Sequence, residues 1–242
     1  MTVRSAARRL TRVRRRSSNR MPRVISYQPL GMQDPGESAA ARHYWASMGL
    51  QSGYVRDVPW AHAMADEVLR SSPRSVLEFG CNFGRNLRAI RARDPAVAVV
   101  GFDVNAAAIA AGRHTSGLDL RVGDERDLEV VPDGAIDVAF TLSVLDHLPH
   151  PEAALSQLLR LAHDRVLLVE PWLGVEGRVL LDTDERTGSE RQTDPYCYSW
   201  DYCRMLTRLA PRHAVAVKPF PLRGPMWGAC YQLTEVTRSR PR

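Results

Sequence analysis

Val76-Leu77-Glu78-Phe79-Gly80-Cys81-Asn82-Phe83-Gly84-Arg85-Asn86-Leu87 is the stretch that decides the fold of this 242-residue chain. A short apolar run enters two glycines and leaves in a helical pattern. A buried strand that turns through glycine into a helix lets backbone amides come close to a ligand. A plain tight turn with no ligand has the same outline. A dinucleotide-binding turn needs glycine at positions 80, 82 and 85, and this chain has Asn82 and Arg85. The pyrophosphate-cradling version is therefore excluded, and a ligand without phosphates is favoured.

Outward from this turn, short apolar runs alternate with helical periodicity, as βαβ units of a parallel sheet require. Strands are predicted at about 75–79, 97–103, 118–122, 135–142 and 165–170. Helices are predicted at 84–93, at 105–113 with Asn105 as cap, and at 151–162 opened by Pro151. Upstream, Pro59 suits a first helical position, and Trp60, Ala63, Met64 and Val68 follow at helical spacing. Beyond residue 170 a charged and aromatic stretch of about 28 residues carries no apolar periodicity and is expected to be loop. A helix then starts near Ser199, with Tyr202, Met205, Leu206 and Leu209 on one face. Strands at about 213–219 and 228–236, with Gly224 and Pro225 between them, form a hairpin. The fold class is α/β: a Rossmann-like, seven-stranded, mostly parallel sheet with one antiparallel strand and helices on both faces.

Composition is that of an ordinary globular protein, 44% hydrophobic and 25% charged, and it names no function. The net charge of +6 lies in the tail. Residues 1–23 contain nine arginines and no acid, and removing those nine from +6 leaves −3 on the rest. Such a start could be a nucleic-acid arm, a membrane-surface tether, a transit-like segment or an extension preceding Met21. Residues 1–40 are expected to be a disordered Arg-rich extension, and residues 41–242 one domain. No run approaches the ~18 apolar residues of a membrane span. Cys81, Cys197, Cys203 and Cys230 lack C-x-x-C spacing, so reduced thiols, no metal site and a cytoplasmic location are expected.

Three motifs in order resemble the class I S-adenosylmethionine-dependent methyltransferases: Glu78-x-Gly80-x-x-x-Gly84, the acid of Gly101-Phe102-Asp103, and that of Gly123-Asp124. The likeness covers roughly residues 60–236. The family's middle glycine is Asn82 here, a residue that tolerates left-handed backbone. The resemblance implies S-adenosylmethionine as cofactor, bound at the carboxyl edge of the sheet. Glu78 and Gly80, with Asn82 and Gly84 shaping the turn, would face the methionine portion. Asp103, with Val104 beside it, would accept both ribose hydroxyls, since a carboxylate offers two acceptor oxygens. Asp124 would accept from the adenine amine, and the backbone at Glu125 would address the ring. Thr141, Leu142 and Ser143 match the motif after the fourth strand, which contacts the methionine end.

Methyl transfer from a sulfonium needs alignment more than covalent catalysis. A base is required when the acceptor is a hydroxyl or protonated amine. His147 is the candidate, with helix capping or a backbone bond as its alternative role. Glu170, ending the fifth strand, is expected to bind substrate or take a proton. Seven of the twelve tryptophans and tyrosines fall between residues 172 and 231. Of these, Trp172, Tyr196, Tyr198 and Trp200 are expected at the substrate, whereas Tyr202, Trp227 and Tyr231 are expected in the core. Tyr44, Trp45 and Tyr54 occupy the region that forms a lid in many relatives, and Leu173 to Pro195 is long enough for a second lid.

The expected function is methyl transfer to an oxygen or nitrogen of a small organic molecule, as in secondary-metabolite tailoring. The expected partners are that small-molecule acceptor and a second copy of the chain in a homodimer, with no membrane. An RNA methyltransferase using the basic tail is less favoured, because the rest of the chain is acidic and lacks a recognisable RNA-binding module. A non-catalytic cofactor-binding protein is the third reading.

Overall fold

The computed structural model describes residues 11–14, 23–28, 36–184, 190–192, 194–222 and 231–238. In chain order the elements are β1 (Thr11–Arg14), β2 (Arg23–Gln28), α1 (Glu37–Ser47), α2 (Ser52–Val55), α3 (Pro59–Leu69), β3 (Ser75–Phe79), α4 (Arg85–Arg93), β4 (Ala98–Asp103), α5 (Ala106–Ser116) and β5 (Asp119–Val122). They continue with β6 (Ile136–Leu142), α6 (Glu152–Leu161), β7 (Ala162–Pro171), β8 (Gly177–Asp184), β9 (Glu190–Gln192), β10 (Tyr198–Ser199), α7 (Tyr202–Leu209), β11 (Ala214–Pro219) and β12 (Tyr231–Thr237).

Seven strands form the main sheet in the order β11-β12-β7-β6-β3-β4-β5. Strands β3 to β7 pair in parallel. β12 runs antiparallel to both β7 and β11, so it alone points the other way. This is the Rossmann-like arrangement expected from the sequence. Because the chain leaves β3 for β4 and β5 on one side and returns to β6 on the other, a crevice opens at the carboxyl ends of β3 and β6.

Alternate residues of each central strand feed two cores. Val76, Val138, Phe140, Leu167 and Val169 pack with Met64, Ala65 and Val68 of α3 and with Leu87 and Ile90 of α4. Leu77, Phe79, Ala139 and Leu168 pack with Leu155 and Leu158 of α6 and with Met205 and Leu206 of α7. Helices thus cover both faces, which is why these strands read as unbroken apolar runs. The caps are local: the Asn105 side chain accepts from the Ala108 amide, and that of Asp201 from the Arg204 amide.

Two regions differ from expectation. The segment after residue 170 is not plain loop: β8 and β10 join β1 and β2 in a second sheet ordered β1-β2-β8-β10, with β9 also paired to β8. Gly177–Asp184 has an apolar run of only three residues between charges, and its strand character depends on partners far away in sequence. For the same reason the expectation of a plain extension over residues 1–40 is corrected. β1 and β2 fall within it, and α1 begins at Glu37. Helix α7 starts at Tyr202, three residues later than the periodicity suggests. Trp227, Cys230 and the Gly224-Pro225 turn lie outside the described residues. Among the described residues no helix is long and apolar enough to cross a membrane.

Leu77 is fully buried in the central strand. Leu77→Ala is expected to cost about 2–5 kcal/mol of stability through lost burial and a residual cavity, measurable as a lower urea midpoint.

Candidate active-site cleft

The turn after β3 builds the cleft floor. Gly80 has φ +77°, and a Cβ there would lie 2.2 Å from Val144 Cγ2, so only glycine fits. Asn82 also adopts positive φ, 48°, and its Oδ1 accepts from the Phe83 amide at 2.9 Å. The turn is tied to β4 because the Gly80 and Cys81 amides both donate to the Phe102 carbonyl.

Asp103 closes this floor from the end of β4. One carboxylate oxygen accepts from the Asn82 amide at 2.7 Å and the other from the Asn105 amide at 2.8 Å. Each oxygen keeps a second lone pair. Burial raises its pKa against those two bonds. Asn105 donates in turn to the Met48 carbonyl, joining the chain beyond α1 to the cleft.

The cleft holds about 1070 Å³ of empty space, part of it open to solvent, enough for a nucleoside-sized ligand. Gly80, Asn82, Asp103, Val104, Asp124, Glu125, Leu142, Ser143 and His147 from the strand ends line it, together with Trp45 and Tyr54. Three expected cofactor residues do not line it. Gly84 caps α4 in left-handed geometry, and Glu78 and Thr141 are buried beneath.

Glu78 is still informative. Its Oε1 accepts from Asn86 Nδ2 at 2.6 Å, while Oε2 and Asn86 Oδ1 are buried without a partner. Burial pushes its carboxyl up to about 8. Two orphaned buried acceptors on one hydrogen-bonded pair of side chains suit a cationic donor. Nearby Arg85 lies over the rings of Tyr54 and Trp60 and donates to the Gly53 carbonyl, and its Nε has no partner.

At the opposite end, Asp124 is fully engaged. One oxygen accepts from the Arg126 amide and Nε, and the other from Arg126 Nη2 and, at 2.8 Å, from Arg42 Nε of α1. Arg42 gave no signal in the sequence. It faces the cleft with Ser38 and Trp45 because positions 38, 42 and 45 share one side of a helix.

His147 sits in a short 3-10 turn after β6. Its Nδ1 is 3.0 Å from the Tyr196 carbonyl, and its ring is 4.2 Å from that of Trp45. A carbonyl only accepts, so Nδ1 carries the hydrogen and Nε2 the lone pair. Burial lowers its pKa, keeping the imidazole neutral near pH 7.

Glu170 is not positioned to meet a substrate. It is 1% exposed and accepts from the Thr141 hydroxyl at 2.7 Å and from the Val144 and Asp146 amides. It holds the β6 loop from behind. The aromatic residues also divide differently than expected. Tyr198 and Trp200 are buried in the core beside Met205 and Leu206, and Trp172 and Tyr196 are not among the residues lining the cleft. Tyr44 directs its hydroxyl to Asp194 at 3.0 Å. Tyr202 and Tyr231 are core residues. Amphipathic rings serve core and pocket equally well, and only packing distinguishes them.

Residues 77–168 match the family described as a methyltransferase domain. Over these residues the chain is similar to that family. It is 30% identical over 165 residues to phenazine O-methyltransferase PhzM of Lysobacter antibioticus, covering 59% of this chain and 47% of that protein. The chain spans half or less of the length of the curated relatives it matches. In fold it is similar to the Burkholderia thailandensis 1,6-didemethyltoxoflavin-N1-methyltransferase, solved with 1,6-didemethyltoxoflavin and S-adenosylhomocysteine. The TM-score is 0.61 at 17% identity, covering 90% of this chain and 96% of that one. It is also similar to CalS10, an amino pentose methyltransferase from Micromonospora echinaspora solved with S-adenosylmethionine, with TM-score 0.56 at 19% identity, covering 80% and 99%.

The raised Glu78 pKa has a stability consequence. Between the ordinary carboxylate range and about pH 8, the folded chain keeps a proton that the unfolded chain has lost, so ligand-free stability falls as pH rises through that window. Thermal melts at pH 5, 7 and 9 are expected to show this fall, and Glu78→Gln is expected to make it shallower.

Proposed function

We propose that this chain transfers a methyl group from S-adenosylmethionine to an oxygen or nitrogen of a small organic molecule. One observation carries the reading. The ends of four separate strands converge on a single cleft, with Gly80 and Asn82 after β3, Asp103 and Val104 at β4, Asp124 and Glu125 after β5, and Leu142 and Ser143 after β6.

The residues present fit the cofactor. The orphaned Glu78 and Asn86 oxygens complement the methionine ammonium, and Arg85 complements its carboxylate. The free lone pairs of Asp103 accept the ribose hydroxyls. Leu142 and the Gly80 backbone line the path between these ends. Because all four acceptor sites of Asp124 are in use, an adenine amine reaches it only by displacing Arg42.

When bound, S-adenosylmethionine supplies an electrophilic methyl on a sulfonium, open to in-line displacement. The chain's own contribution is alignment, exclusion of water and removal of the acceptor's proton. Trp45, Met48, Tyr54, Leu148 and Pro149 form the apolar part of the cleft, and His147 Nε2 takes the proton. A mostly apolar cleft whose wall presents the neutral His147 imidazole suits a small, ring-containing acceptor carrying a hydroxyl or amine. The similarity to a phenazine O-methyltransferase and to a 1,6-didemethyltoxoflavin-N1-methyltransferase supports that acceptor class.

Calorimetry with S-adenosylhomocysteine tests the cofactor assignment. Asp103→Ala is expected to weaken binding about tenfold or more while the protein stays folded, and unchanged affinity would contradict the ribose role. For the acceptor class, mass spectrometry should find a methyl gain on phenolic or amine-bearing small molecules. A gain on RNA alone would move the assignment to nucleic acid.

A further inference from the structure

We propose that Asp146 is a positioning residue that controls the charge of His147, and that Glu170 controls the charge of Asp146 in turn. This rests on the reading of His147 as base. The geometry is a chain of three titratable side chains running inward from the cleft wall. Asp146 Oδ2 lies 3.8 Å from His147 Nε2, and the Asp146 side chain has no exposure. Behind it, Glu170 hydrogen-bonds to Asp146, to the Asp146 amide and to Thr141.

Removal of the acceptor's proton breaks an O–H or N–H bond, whose electron pair stays on the acceptor atom, and leaves the proton on Nε2. The imidazolium then lies between the Tyr196 carbonyl at Nδ1 and Asp146. A carboxylate at Asp146 favours that cation, whereas a carboxylic acid does not. Two buried carboxyls in hydrogen-bond contact cannot both ionise cheaply, so they share one proton. Burial raises both above the usual carboxylate range.

The surroundings decide where that proton sits. Glu170 receives three donors, from Thr141, Val144 and Asp146. Asp146 receives its own backbone amide and the Ser143 hydroxyl at 3.4 Å, and that hydroxyl is also 2.8 Å from Tyr231. Donors favour the ionised form, so Glu170 competes with Asp146 for the negative charge. The other groups facing His147 are Asp194, whose carboxylate binds Tyr44, and Cys197 at 3.6 Å. Tyr202 faces the carboxyl pair with an unpartnered hydroxyl.

The pair makes a prediction in opposite directions. Asp146→Asn removes the carboxylate beside Nε2. Glu170→Gln keeps an acceptor oxygen for Thr141 and the amides and offers an N–H to Asp146, which holds Asp146 ionised. In the ligand-free full chain labelled with ¹⁵N-histidine, the His147 imidazole is followed by NMR between pH 5 and 9 and assigned with His147→Gln. The expected result is a titration shifted to lower pH in Asp146→Asn and to higher pH in Glu170→Gln, each by about half a unit or more. No shift in either variant, or shifts in the same direction, would overturn the proposal. Should a variant fail to fold, carboxyl ¹³C titration of the unaltered chain takes its place. Two linked steps for Asp146 and Glu170 support the coupling, and two independent ordinary carboxylates overturn it. Full turnover by His147→Gln on an identified acceptor would instead overturn the base reading, separately from the carboxyl coupling.

Discussion

The Asp103 carboxylate holds two turns at once. Its oxygens bind the Asn82 amide of the turn after β3 and the Asn105 amide at the start of α5. Through Asn105 it also reaches the Met48 carbonyl beyond α1. Both carboxylate bonds are charge-assisted and partly buried, which makes them stronger than neutral ones. The cleft floor, its β4 wall and its N-terminal cover therefore take their relative positions from one side chain. The same side chain retains the lone pairs that a diol would use.

A second constraint operates on the β6 side. Gly80 presses its backbone against the Val144 side chain, and Val144 is held by Glu170 through its amide. Ser143 adopts positive φ, 54°, in the same loop. A strained loop of this kind persists only where its surroundings overdetermine it. Here the buried Glu170, Thr141 and Asp146 carboxyl and hydroxyl groups do so, which explains why an acid at the end of β7 never reaches the cleft. Helix α1 adds the third side. It lays Arg42 on Asp124 and Trp45 on His147, and Glu37 accepts from Tyr198 of β10 in the second sheet. The cleft and the second sheet are thereby joined through one short helix.

Much of this was legible in the linear sequence. Strand and helix periods are local properties of the chain, so the seven strands and five larger helices from α3 onward can be read within a few residues of their bounds. The acids at 103 and 124 follow glycines at strand ends, a local signal, and both line the cleft. The left-handed tolerance expected of Asn82 matches its φ of 48°.

What the sequence by itself determined is the main sheet, the turn from Val76 to Leu87 and the set of strand-end residues that meet there, because each depends on neighbours within one or two turns of chain. Tertiary structure alone decided the rest. The pairing of β2 with β8, the burial of Tyr198 and Trp200, the withdrawal of Glu170 from the cleft and the arrival of Arg42 all join residues more than eighty positions apart, or depend on which side of a packed layer a ring or carboxyl lies. An aromatic ring or an acid has the same local pattern whether it lines a pocket or supports it from behind. Only the burial and hydrogen bonds of the folded chain separate the two.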